Sequence, residues 1–322
     1  MSDLPSRVHI HEEGPREGFQ YESGPIPTRR KIELIDRLSD TGLDHIQIVS
    51  FVSPKAVPGM ADAEDVVRGI TPRPGVAYTA LWLNDKGFER ALAAGTIEVE
   101  GALSLSASAA FLARNQNKTP SVQLAVQHAL VKLYKRHGID VGRGSIMAAF
   151  GCNFEGDIPV ERVVALVRDL LDVAEQNDFT LKYMLLADTM AWATPDSIKR
   201  VLGAVRERFP VVEFALHLHD TRGMGIANAY AGLEMGVRRY DSSVAGLGGC
   251  PFAGHRGAAG NVCTEDFVFM CHEMGIETGV DLEALIDCAR LAEDIVGHPL
   301  PGSVMKGGSL AGFRARLNGA AE

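Results

Sequence analysis

The strongest constraint on the fold is an alternation that runs nearly the whole length of the chain. Short β-rich runs take turns with longer amphipathic stretches. The runs are Val8–His11, His45–Val49, Val76–Leu81, Ile97–Leu103, Ile146–Phe150, Thr180–Leu186, Val212–Leu218 and Arg239–Ser243. Between them, apolar spacing predicts helices over Thr28–Thr41, Asp62–Gly69, Asn84–Ala94, Ser121–His137, Val160–Asn177, Thr194–Phe209 and Met224–Met235. Within Pro159–Asn177, the residues Val163, Leu166, Val167, Leu170, Leu171 and Ala174 form one apolar stripe at three-and-four spacing. Thr194-Pro195-Asp196 is a helix start, with a hydroxyl cap followed by a proline whose missing N–H costs nothing there. Eight strands each trailed by a helix give the count of a TIM (β/α)8 barrel, an α/β fold of typically about 250 residues. The rival is a doubly wound open sheet, which usually carries G-x-G-x-x-G after its first strand; GPREGFQYESG is not that motif. The expected organisation is a catalytic barrel over residues 1–280 and a C-terminal helical extension over 281–322, built on Leu282–Val296.

Composition narrows the function. The 41 acidic residues outnumber the 32 basic ones, giving a net charge of −9, which argues against a nucleic-acid or anionic-membrane surface. No stretch approaches the roughly 18 apolar residues of a bilayer span, and MSDLPSRVHIHEEGPREG contains no apolar signal core. The 5 cysteines show neither a CxxC pair nor regular spacing, so neither a disulfide framework nor a zinc knuckle is indicated. A cytoplasmic protein is expected.

In a barrel of this type the chemistry sits at the carboxyl ends of the strands, and the unusual polar residues fall there. Arg16 and Glu17 follow strand one, Gln47 lies late in strand two, and Asp188 ends strand six. His217, His219 and Asp220 end strand seven, while Cys250 and Asn261 follow strand eight. In Leu216-His217-Leu218-His219, alternation puts both imidazoles on one face, about 7 Å apart along the strand, where they can share a divalent cation. A packed, hydrogen-bonded pair is the bland alternative. Carboxylate and amide donors at neighbouring strand ends favour the metal, and mixed N/O ligation suits Mg2+ or Mn2+ better than a thiolate-bound zinc. Arg16-Glu17 is either a loop salt bridge or a metal-binding carboxylate beside a guanidinium that neutralises an enolate. Gly246-Leu247-Gly248-Gly249-Cys250-Pro251, followed by Gly254, Gly257 and Gly260-Asn261, lacks the Lys-Ser/Thr of a phosphate loop. It reads as a lid that carries a thiol proton donor to the site on closure.

Six segments, EGPREGFQYE, SFVSPKAVPGM, ADTMAWATP, HLHDTRGMGIAN, DSSVAGLGGCPFA and GNVCTED, resemble in order and spacing the motifs of the 3-hydroxy-3-methylglutaryl-CoA lyase family. This is a group of metal-dependent barrel lyases related to Claisen synthases, and the resemblance covers about residues 8 to 280. It implies metal ligation by Glu17, His217, His219 and Asn261, enolate stabilisation by Arg16, and proton donation by Cys250. It also implies a place for Asp188 near the reacting hydroxyl and, through Gln47 and Asn115, contacts to substrate. Its partners would be an acyl-CoA substrate and further copies of the chain, as a dimer or tetramer. Several positions depart from the family pattern: Glu17 where it has Asp, Gln47 and Ala109 where it has Glu, and a longer lid through Gly254-His255-Arg256-Gly257. These departures, with two carboxylates fewer in the site, imply a preference for a related 3-hydroxy-3-substituted acyl-CoA, of citramalyl type or with a longer chain.

The implied reaction is retro-Claisen cleavage, which needs a base for the tertiary hydroxyl, a Lewis acid at that oxygen, and charge stabilisation followed by a proton for the departing enolate. His217, Asp188 or a metal-bound hydroxide could be the base. Three other readings remain open: a Claisen synthase, which the GGCP lid disfavours, a 4-hydroxy-2-oxo-acid aldolase, and a barrel retained only as a binding module.

Overall fold

A computed structural model describes residues 4–22, 24–249 and 260–319. Eight strands form one parallel sheet: β1 (His9–Glu12), β2 (His45–Ser50), β3 (Ala77–Leu81), β4 (Gly101–Ser106), β5 (Val141–Met147), β6 (Tyr183–Ala187), β7 (Glu213–His217) and β8 (Arg239–Ser242). The helices are α1 (Phe19–Tyr21), α2 (Thr28–Ser39), α3 (Ala63–Gly69), α4 (Asp85–Ala94), α5 (Ala109–Gln116), α6 (Pro120–Arg136), α7 (Val160–Glu175), α8 (Pro195–Arg208) and α9 (Gly225–Glu234). Beyond the last strand lie α10 (Thr264–Glu273), α11 (Leu282–Val296), α12 (Val304–Gly307) and α13 (Leu310–Gly319). The strand order is β3-β2-β1-β8-β7-β6-β5-β4, so the first and last strands pair, His9 opposite Arg239 through Glu12 opposite Ser242. This is the curled parallel sheet of a TIM (β/α)8-type barrel.

The helices form where the apolar stripes lie. The α7 face buries Val163, Val167, Leu170, Val173 and Ala174, while Leu166 and Leu171 stay half-buried. Thr194 caps α8 by accepting from the Ser197 N–H, and the Ser197 hydroxyl answers to the cap backbone. Asp281 caps α11, accepting from Glu283 and Ala284 N–H groups; that helix buries Leu285, Ile286, Ala289 and Ala292 in the common core. No helix among the described residues is long and apolar enough to cross a membrane.

Two strands lie elsewhere than the sequence suggests. β5 runs Val141–Met147 rather than Ile146–Phe150: pairing with β4 and β6 on both sides overrides the poor strand propensity of VGRGS. The apolar residues after it leave the strand at Ala148, whose φ is 54°. β4 starts at Gly101, four residues later than Ile97. Ile97–Glu100 instead follows β3 with a single bond, Glu98 N–H to the Tyr78 carbonyl at 2.7 Å. A Cβ on Gly101 would meet the Tyr134 ring at 2.8 Å, so only glycine allows α6 so close to the start of β4. The short α5 and the helices α10, α12 and α13 are further elements that periodicity does not announce.

The barrel has a seam between β3 and β4, the two ends of the hydrogen-bonded order. The N–H groups of Ser104 and Ser106, which point away from β5, donate to Gln127 Oε1 (2.9 Å) and Gln123 Oε1 (3.0 Å). One face of α6 thus does for the β4 edge what a neighbouring strand would otherwise do.

Candidate active site

The chain leaves β1 through a π-helical turn, Gly14–Gly18, that buries both Arg16 and Glu17 under the carboxyl ends of the strands. Arg16 bonds Glu13 with one guanidinium nitrogen and Glu17 Oε2, at 2.8 Å, with another. Its Nε is buried with no partner. The other carboxylate oxygen of Glu17 faces the β7 histidines: Oε1 lies 3.2 Å from His219 Nε2 and 3.8 Å from His217 Nε2. Those two nitrogens are 3.3 Å apart. The strand formally ends at His217, but the extended backbone continues, so the rings converge to hydrogen-bond distance.

The opposite nitrogen of each ring is held. His217 Nδ1 is 3.1 Å from Asp241 Oδ2 and His219 Nδ1 is 2.8 Å from the Thr189 carbonyl. That leaves both Nε2 atoms aimed at Glu17, the usual arrangement behind metal-binding imidazoles. Asn261 bridges to His219 through the backbone, and both polar atoms of its buried side-chain amide lack partners. Two imidazole nitrogens, a carboxylate oxygen and an orphaned amide fit a hard divalent cation.

Electrostatics agree. Burial would raise the Glu17 carboxyl, but Arg16 and both histidines hold it well below the usual carboxylate range. Burial would lower His217, yet Glu17 and Asp241 keep its affinity for a proton above the ordinary value. Asp188 follows β6 and sits behind the wall formed by its neighbours Ala187 and Thr189. Its Oδ1 accepts from the Trp192 (2.7 Å) and Ala193 (3.0 Å) N–H groups, and its Oδ2 is buried without a partner. Burial pushes its carboxyl up to about 6, against the opposing pull of His219.

A cavity of about 310 Å3 reaches from this cluster. Arg16, Glu17, His217, His219 and Gln47 line it, and exposed Asn115 stands on its rim. Gln47 Oε1 is buried and unpartnered. Ala109 is a correction: it is exposed at the first position of α5 and is not on the cavity wall, so the site lacks one expected carboxylate there, not two. Glu155 supplies the acid at that helix start, accepting from Ala110 N–H at 2.7 Å. Cys250, His255 and Arg256 lie outside the described residues. Gly249, just before them, lines the cavity, and just after them a Cβ on Gly260 would collide with the Gly248 carbonyl.

Sequence reasoning missed the charged interior behind the histidines. Asp241 of β8 accepts from Arg143 of β5 at 3.0 Å and lies 3.4 Å from His11 Nδ1. Arg143 and these hydrogen bonds overcome burial and hold the Asp241 carboxyl well below the ordinary range. It also missed Glu12, which accepts from Gly14 N–H (2.7 Å), Val244 N–H (2.8 Å) and the Thr264 hydroxyl (2.6 Å). The available signal was a charged residue inside each of several barrel strands, a costly placement that needs a partner.

The HMGL-like family profile matches residues 7–292. Hydroxymethylglutaryl-CoA lyase YngG of Bacillus subtilis (strain 168) is 40% identical over 297 residues, covering 92% of this chain and 96% of its own. A 3-hydroxy-3-isohexenylglutaryl-CoA/hydroxymethylglutaryl-CoA lyase of Pseudomonas aeruginosa is 41% identical over 295 residues, covering 92% and 95%. The structure of an HMG-CoA lyase from Acinetobacter baumannii, in complex with coenzyme A and 3-methylmalate, superposes with a TM-score of 0.85 at 38% identity, covering 96% of this chain and 97% of that one.

Proposed function

The chain belongs to the HMGL-like family, and from that premise we propose that it is a carbon–carbon lyase that cleaves a 3-hydroxy-3-alkylglutaryl-CoA to acetyl-CoA and a keto acid. The observation that carries this is the convergence of Glu17 Oε1, His217 Nε2 and His219 Nε2 beside the unpartnered Asn261 amide. The names of the relatives point to glutaryl-CoA substrates with a methyl or an isohexenyl group on C3.

Glu17, His217, His219 and Asn261 would hold a divalent cation, Mg2+ or Mn2+, which when bound supplies Lewis acidity to the hydroxyl oxygen as it becomes a carbonyl. The hydroxyl proton is taken by His217, which faces the cavity, or by Asp188, whose Oδ2 is left free behind the wall once Oδ1 is committed to the Trp192–Ala193 turn. The bond between C2 and C3 then breaks, and its electron pair becomes the thioester enolate. Arg16 faces that enolate; Glu13 and Glu17 orient the guanidinium and Nε is uncommitted. Cys250 gives its proton to the enolate carbon, and closure of the loop it rides on excludes water. Gln47 and Asn115 contact the acyl group. The barrel, residues 1–280, carries all of this, residues 281–322 cap it, and the protein works in the cytoplasm as a dimer or tetramer.

The test is acetyl-CoA release from 3-hydroxy-3-methylglutaryl-CoA and its C3 homologues, with Mg2+ or Mn2+ added after chelation. Release of free CoA from acetyl-CoA plus a 2-oxo acid would instead identify a condensing synthase. Full turnover in the chelated protein would overturn the mechanism.

A further inference from the structure

We infer that the seam between β3 and β4 is the binding lobe for a long, uncharged alkyl group on C3 of the substrate; the inference rests on the lyase reading. The cavity that begins at Glu17, His217 and His219 does not stop at the barrel axis. It continues between the two unpaired strands to α6, walled by Ala80, Leu81, Leu103, Phe111, Val126 and Leu130. All six are hydrocarbon side chains, and a void so lined favours an apolar occupant.

The polar groups that α6 presents to this wall are already committed. Gln123 and Gln127 accept from the β4 edge, and the Tyr134 hydroxyl takes the Trp82 Nε1–H at 2.8 Å. A polar ligand would have to compete with these bonds along α6, whereas an alkyl chain asks for none. The uncharged substituent on C3 is the part of the substrate that suits the slot.

The geometry needed is a β4 edge that does not require β3. In a closed barrel the ladder between them would fill this space with backbone. Here α6 satisfies Ser104 and Ser106 from outside, so the β4 edge keeps its hydrogen bonds while the gap stays open.

The experiment compares the full chain, loaded with Mn2+, on 3-hydroxy-3-methylglutaryl-CoA and its C3 isohexenyl analogue. The wild-type kcat/KM for the long ester should lie within about tenfold of the methyl ester or above it. Val126→Trp and, separately, Leu83→Trp at the rim should each lower the long-to-methyl ratio by about twentyfold or more; two variants guard against one that fails to fold. In chelated protein, the long ester should shift Trp82 emission and the methyl ester should not, which gives a readout independent of turnover. Cleavage of the methyl ester alone, or ratios unmoved by both tryptophans, would overturn the lobe and leave the lyase reading standing. Cleavage of neither ester would overturn both.

Discussion

The barrel closes and opens at opposite places, and the two places are built differently. Where β1 meets β8, four residue pairs form a continuous parallel ladder, and buried carboxylates stitch the elements that follow. Glu12 ties the Gly14–Gly18 turn to Val244 and Thr264, and Glu265 accepts from Ala245 N–H at 2.9 Å. Asp241 joins His217, His11 and Arg143 across the lumen. Where β3 faces β4, the strands part and helix side chains take the edge. The joint holds reacting groups in fixed geometry; the seam leaves room. A reaction centre must be placed to within a fraction of an ångström, while a pocket for hydrocarbon needs only volume. Rigidity and adaptability therefore sit on opposite sides of one lumen.

The largest effect should come from the joint's metal end. His219→Ala removes a nitrogen from the cluster, and acetyl-CoA release should fall on the order of 10³-fold, the several kcal/mol a Lewis acid contributes. Bound Mn2+, measured by atomic absorption after gel filtration, should fall with it. A variant with normal metal content and normal turnover would break the link between joint and chemistry.

The next effect is on stability, and its sign follows from burial. Glu12 is pushed up to about 7 by desolvation, against its three hydrogen bonds, from 4.5 for the free side chain. Between those values the unfolded chain releases its proton first, so stability falls as pH rises from about 4.5 to 7, by at most about 3 kcal/mol for this one group. Glu12→Gln keeps an acceptor for Gly14 and Val244 and cannot ionise. Chemical denaturation at pH 5 and 7.5 should show a shallower decline for the variant; an identical decline would mean that Glu12 is not held protonated.

How much of this was legible in the residues differs between the two regions. The eight-strand count, the helix starting at Thr194 and the His217–His219 pair are local patterns, and local patterns survive in a single sequence. Glu17 beside Arg16 was readable as a pair, though not as the occupant of a π-helical turn. The seam was not readable. Ile97–Glu100 alternates like a strand, and nothing local says that the chain leaves β3 at Gly101 because Tyr134, 33 positions later, needs the space. The Asp241–Arg143 pair spans 98 positions and is fixed only by barrel closure. Ala109 was misjudged for the same reason: its distance from the cavity depends on where α5 begins.

Asp241→Asn sharpens the comparison at smaller scale. The amide keeps its shape but loses the charge that binds Arg143 and orients His217, so metal affinity should fall about 10- to 100-fold, as for other groups behind a metal ligand. Competition against a fluorescent chelator measures it directly. The thermal midpoint of the metal-free protein separates lost orientation from general loosening.

The smallest effect is expected at the seam, and it decides whether the two regions differ in kind. Gln127→Ala leaves the Ser104 N–H without its side-chain partner, but Ser104 is half-buried beside an open cavity that water can enter. A hydrogen bond that water can replace contributes only about 1 kcal/mol, so the midpoint of denaturation should move little. Glu12→Ala, by contrast, strips three buried bonds at once and should cost several times more, since no water can reach Gly14 or Val244 in its place. Urea unfolding of the two variants side by side makes the test. Equal losses would mean that the seam is as tightly built as the joint, and that its opening is not a place where the protein can take up a longer chain.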